Sequence, residues 1–150
     1  MTALSYQPNE LLPGLSFNKE SGKFKIYGVS CPENAFEFYE PLFKWFDEYK
    51  LNPLRNTVID FNLEYFNTST AKFLYIFMSK FENLSDTEHE VKIRWYYDVY
   101  DEDMKEEGEE FENIVDVNFE FIPIKNEKND LEEEDDNSFF DSLLDSTNLN

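Results

Sequence analysis

The segment Leu63-Glu64-Tyr65-Phe66-Asn67-Thr68-Ser69-Thr70-Ala71-Lys72 divides two different patterns. Before it, Thr57 to Phe66 carries β-branched and aromatic residues at the density of a buried, central strand. After it, Phe73, Leu74, Phe77, Phe81 and Leu84 fall on one face of a helix running from Ala71 to Leu84. Three adjacent hydroxyls, Thr68, Ser69 and Thr70, therefore stand where a strand turns into a helix. The first N–H groups of a helix have no backbone partner, so hydroxyl and amide side chains belong there as caps. The same N–H groups and the helix dipole favour a phosphate. Two readings stay open at this point: a cap, or a hydroxyl that is reversibly phosphorylated.

Working outward toward the N-terminus, Cys31-Pro32-Glu33-Asn34 opens another helix, with Ser30 or Cys31 as its cap and Pro32 in its first turn. Phe36, Tyr39, Phe43 and Phe46 recur at three- and four-residue steps, which predicts a stripe packed on the sheet. Pro41 predicts a kink, or a split at Glu40. Leu15 to Phe17 and Lys23 to Tyr27 flank turn-forming residues and read as a hairpin, whereas 1–14 reads as an irregular lead-in.

Toward the C-terminus, His89 lies in a polar loop and reads as a solvated surface histidine. Val91 to Tyr97 alternates as a strand that buries Trp95 and points one of Tyr96 and Tyr97 inward, the other outward. Asp98 to Glu112 permits an acidic helix that Gly108 weakens, and Val117 to Ile124, with Pro123, reads as an edge strand. The order ββ-α-β-α-β-α-β predicts an α/β fold: a mixed β-sheet with helices packed against it. Residues 1–124 form the expected domain. Residues 125–150, with the acidic run Leu131 to Asn137, read as a disordered acidic tail. Phe139, Phe140, Leu143 and Leu144 lend that tail one apolar helical face for a partner groove, although a solubilising tail is the simpler account.

Composition narrows the function. The 150 residues hold 33 acidic and 13 basic side chains, a formal charge of −20. Such a surface repels phosphate backbones and anionic membranes, so neither nucleic acid nor membrane is an expected partner. A single cysteine, Cys31, and a single histidine, His89, leave no zinc cluster and exclude most histidine-based catalysis. Asp98, Asp101, Glu102 and Asp103 lack the spacing of a calcium loop and read as a solvated helix start. No catalytic residue, metal or cofactor is expected. With neither a signal peptide nor a membrane span, the expected location is cytoplasmic.

Three strings in register carry a resemblance: Cys31-Pro32-Glu33-Asn34-Ala35, Tyr65 to Lys72, and Ile93-Arg94-Trp95-Tyr96-Tyr97-Asp98. Together they resemble the SiaC family of biofilm-regulation phosphoproteins, whose fold is similar to anti-sigma-factor antagonists (STAS domains). The resemblance spans roughly residues 8 to 124 and implies a STAS-like, non-enzymatic partner switch. It implies phosphorylation on Thr68, with Ser69 and Thr70 as alternatives, by a serine/threonine protein kinase. It further implies removal by a PP2C-type phosphatase, and a diguanylate cyclase bound and activated by the unphosphorylated form to promote cyclic-di-GMP synthesis. Tyr65, Asn67, Ser69, Lys72, Glu33, Asn34, Tyr96 and Tyr97 are the expected partner-facing residues. An anti-sigma antagonist that binds a serine/threonine kinase shares the same logic and is the alternative.

Overall fold

The computed structural model describes residues 3–125; the acidic tail expected at 125–150 lies, apart from Lys125, outside the described residues. Strands β1 (Ala3–Tyr6), β2 (Gly14–Asn18) and β3 (Lys23–Ser30) are followed by α1 (Ala35–Tyr49), β4 (Asn56–Phe66) and α2 (Thr68–Leu84). Then come β5 (Glu90–Asp98), α3 (Glu102–Ile114) and β6 (Asn118–Ile124). The six strands form one sheet in sequential order. The β1–β2 and β2–β3 pairs are antiparallel, while β3 through β6 are parallel. As expected, β4 is central and β6 is an edge.

The lead-in is not irregular throughout, since Ala3 to Tyr6 pairs with Asn18 to Leu15. Its four residues are too few to show an alternation in the sequence, and the added strand makes the order βββ-α-β-α-β-α-β.

Each parallel connection steps to the next strand in the same direction, and right-handed crossovers then lay every helix on the same face. The core records this. Phe17 and Phe24 meet Trp45 of α1 at 5.4 and 5.1 Å between ring centres. Phe17 stacks on Phe77 of α2 at 5.7 Å, and Trp95 meets Phe111 of α3 at 5.6 Å. Trp95 is buried, as its strand position predicts, and donates its ring N–H to the Met104 carbonyl at 2.9 Å. The opposite face of the sheet has no covering layer among the described residues. It presents Lys25, Asp60, Arg94 and Glu120 in one row across four strands.

Helix α1 departs from expectation in three ways. Its cap is Asn34, whose side chain accepts from the Glu37 N–H at 3.1 Å, so Ser30, Cys31 and Pro32 all precede the helix. It runs unbroken through Pro41, because Ala35, Tyr39, Leu42, Trp45, Phe46 and Tyr49 hold both halves on the sheet. That burial outweighs one lost backbone bond. Finally, Phe36 leaves the buried stripe and is 58% exposed, since the heptad set by Ala35, Tyr39, Leu42, Phe46 and Tyr49 turns it sideways toward Phe73.

Candidate functional site

At the carboxyl ends of β3 and β4 the chain makes two adjacent strand-to-helix turns, and Ser30 lies opposite Phe66 in the sheet. The register slips just before this point: Gly28 faces Leu63, but Val29 faces Tyr65. Glu64 is thus the extra residue of a bulge, which reverses the alternation beyond it. Phe66 turns into the core, and Tyr65 turns outward with 58% of its surface exposed. Bulges re-aim side chains beside functional sites in this way.

The cap of α2 is an amide rather than any of the three hydroxyls. Asn67 accepts the Thr70 N–H at 2.9 Å and the Ser69 hydroxyl at 3.1 Å, and its own N–H donates to the Ser30 carbonyl at 3.1 Å. With capping assigned to Asn67, Thr68 takes the first helical position with an exposed side chain whose hydroxyl makes no hydrogen bond among the described residues. Ser69 is exposed too, but its hydroxyl is engaged by Asn67.

Thr70 points the other way and is fully buried. Its hydroxyl donates to the Ser30 carbonyl at 3.0 Å and lies 2.9 Å from the Ser30 hydroxyl, which is 2.7 Å from the Tyr39 hydroxyl. This triad ties α2, β3 and α1 together beneath the turn. Burial pushes the Tyr39 hydroxyl up to about 12, against smaller opposing effects of its bonds to Ser30 and Thr70. Thr70 is thereby an inaccessible acceptor in the folded chain. The sequence offers Ser30 as a candidate cap and Tyr39 as one residue of an aromatic stripe, and neither pattern carries a signal of their pairing. Their parity was the available clue, since Phe24, Ile26 and Ser30 share the buried face.

The expected partner-facing residues divide. Glu33 and Asn34 begin the neighbouring helix and are exposed, as are Tyr65 and Lys72, which stands one turn beyond Thr68. Exposed Phe36, not foreseen, packs 6.5 Å from Phe73 in the second turn of α2. Tyr96 and Tyr97 stand apart. The β4–β5 ladder ends at Phe61–Trp95, and both tyrosines continue beside Ile122 and Pro123 of β6. Tyr97 leans on the core and Tyr96 lies on the uncovered face, near the Arg94 guanidinium, so one points each way as alternation predicts. No hydrogen bond or ring contact joins either to the turn among the described residues.

On its far side Tyr65 borders a cleft of about 380 Å³ lined by Glu64, Asp101, Asp103, Glu106, Glu107 and Glu110. Desolvation, then the charges of Glu110 and Asp103, raise the Glu107 carboxyl above its usual value. Asp101 there is the cap of α3, accepting the Met104 N–H at 3.0 Å. His89 is far from this end, held at 3.0 Å by Asp86 in its loop. No helix among the described residues is long and apolar enough to cross a membrane.

The fold matches two solved structures of SiaC from Pseudomonas aeruginosa. One is 24% identical with a TM-score of 0.76, covering 83% of this chain and 100% of that one. The other, apo-SiaC, is 24% identical with a TM-score of 0.75, covering 81% and 99%. A third match, 25% identical with a TM-score of 0.76 over 81% of this chain and 99% of that one, comes from the diguanylate cyclase SiaD in complex with its activator SiaC from the same organism. An uncharacterised protein of Pseudomonas aeruginosa (strain UCBPP-PA14) is 27% identical over 111 residues, 74% of this chain and 88% of that protein. Residues 6–124 match the sequence model of the SiaC family regulatory phosphoproteins, and the chain belongs to that family.

Proposed function

We propose that this protein is a non-enzymatic partner switch, phosphorylated on Thr68, whose unphosphorylated form binds and activates a diguanylate cyclase and so raises cyclic-di-GMP. The observation that carries the reading is the division of labour at the turn. Asn67 caps the helix, Thr70 is locked beneath it, and Thr68 is left outward with an unengaged hydroxyl. Family membership and the complex of the related SiaC with its cyclase support the same reading.

The switch works through charge. A phosphate on Thr68 adds about −1.5 to −2 charges. The first N–H groups of α2 and Lys72 make that tolerable within the protein. A partner seated on Tyr65, Phe36 and the bare turn instead meets a bulky dianion without a counter-charge, beside a cleft already rich in carboxylates. Leaving a charge unpaired in an interface costs several kcal/mol, enough for one phosphate to release the partner. Such a cycle requires a kinase and a phosphatase, and the family resemblance implies a serine/threonine kinase and a PP2C-type phosphatase. A serine/threonine anti-sigma kinase is the alternative partner, implied by the resemblance of the family to STAS domains.

The test is kinase labelling of wild type, Thr68→Ala and Ser69→Ala, followed by capture of purified cyclase on bare and phosphorylated protein. Label lost only in Thr68→Ala, with cyclase retained only by the bare form, is expected. Label surviving in Thr68→Ala sinks the assignment.

A further inference from the structure

Parallel sheets are ordinarily covered on both faces. Here β3 to β6 are parallel, and all three helices lie on one side. We propose that the uncovered face is a self-association surface whose occupant is a second copy of this chain.

The reason is the order of charges across that face. Lys25 pairs in register with Asp60, Asp60 with Arg94, and Arg94 with Glu120, giving the row plus, minus, plus, minus across β3, β4, β5 and β6. Within it Arg94 clasps Asp60 through two hydrogen bonds of 2.6 and 2.7 Å. Lys92 reaches Glu120 at 3.4 Å. A two-fold axis parallel to the strands, lying between two such faces and between β4 and β5, stacks β3 on β6 and β4 on β5 of the other copy. Every charge in the row then meets its opposite: Lys25 over Glu120, Asp60 over Arg94, and the same two pairs again by symmetry. Such a closed two-fold pair of aligned sheets is a common solution for symmetric dimers.

The position of the acid supports this surface over others. Seven carboxylates stand on α3 against Lys105 alone, so that side repels a like copy. On the open face Lys23, Lys25, Lys92 and Arg94 balance Asp60, Glu90 and Glu120. An axis along the strands also keeps their direction, which places both Thr68 turns at one end of the pair. A partner with two sites would then bind both turns at once and gain avidity.

The experiment is sedimentation velocity of the full chain at rising protein concentration and at two salt concentrations, with Lys25→Glu and Glu120→Lys run separately and mixed. Both positions are exposed strand residues, and circular dichroism checks that the variants fold. The wild type is expected to reach twice the 18.0 kDa of one chain as protein concentration rises, most completely at the salt that screens the repulsion between two chains each of formal charge −20. Each variant alone sets like charges opposite one another twice over and is expected to weaken the pair by roughly a hundredfold or more. Mixing the two restores opposite charges at both contacts and restores the dimer. A wild type that stays at one chain's mass overturns the proposal, and a dimer appearing only after deletion of 126–150 makes that segment the occupant instead. Folded variants that pair as tightly as wild type also overturn it.

Discussion

The hydroxyls of Ser30 and Thr70 stand 2.9 Å apart inside the protein although forty positions separate them in the chain. This contact, extended by Tyr39, holds the start of α2 against β3 and sets which of three neighbouring hydroxyls is buried. Replacing Thr70 with valine keeps the shape but leaves Ser30 and Tyr39 short of a partner. Unfolding in urea is expected to show a loss of about 1–3 kcal/mol. The variant is expected still to accept phosphate on Thr68, so that stability falls while labelling persists.

Asn67→Ala removes the acceptor of the Thr70 N–H and frees the Ser69 hydroxyl. The expected loss is about 1 kcal/mol, typical of a missing cap. Thr68→Ala touches no hydrogen bond, and its urea midpoint is expected within about 0.5 kcal/mol of wild type. Denaturation of the two side by side separates capping from switching.

The Tyr39 hydroxyl gives the fold an alkaline limit. Its value in the folded chain, about 12, lies above the ordinary 10.0, so the native state favours the neutral phenol. Below pH 10 the contribution is fully present. Between pH 10 and 12 the unfolded chain ionises first and stability falls, by roughly 2–3 kcal/mol if the whole shift is realised. Other tyrosines ionise in the same range, so the measurement is the difference between wild type and Tyr39→Phe across that window. A parallel decline in both would remove Tyr39 as the cause.

Tyr65 and Phe36, each 58% exposed, flank the turn without serving the core. Aromatic anchors of this kind carry a large share of interface energy. Alanine at either position is expected to weaken cyclase binding about tenfold or more, with thermal stability nearly unchanged. Calorimetric titration alongside a melting curve checks both halves of that expectation.

Gly108 sits in α3 directly over the core. A methyl group there would come within 2.6 Å of Trp95 Nε1 and 2.8 Å of Phe121, both in packed surroundings. Gly108→Ala is therefore expected to destabilise by about 1–3 kcal/mol despite the better helix propensity of alanine. The same glycine reads, in the sequence, as a mere weakness in an acidic helix. Its purpose becomes visible only once Trp95 is beneath it.

That contrast holds across the molecule. The β-branched and aromatic density of Thr57 to Phe66 announced one buried strand, and the alternation of Val91 to Tyr97 a second, because a sheet with one covered face imposes a period of two on its own residues. The spacing in α2 announced its buried face in the same way. The three strings in register marked the family and the turn. These patterns are local, and local sequence determined them. Which residue caps, which hydroxyl is buried and which aromatic is exposed depended on contacts across the fold. Asn67 became the cap when Thr70 was drawn inward to Ser30 and Tyr39. Tyr65 faced outward because a bulge shifted its register against Val29. Phe36 was set aside by the heptad of its own helix on the sheet. Tertiary structure alone decided these points, since each depends on partners in other elements of the fold.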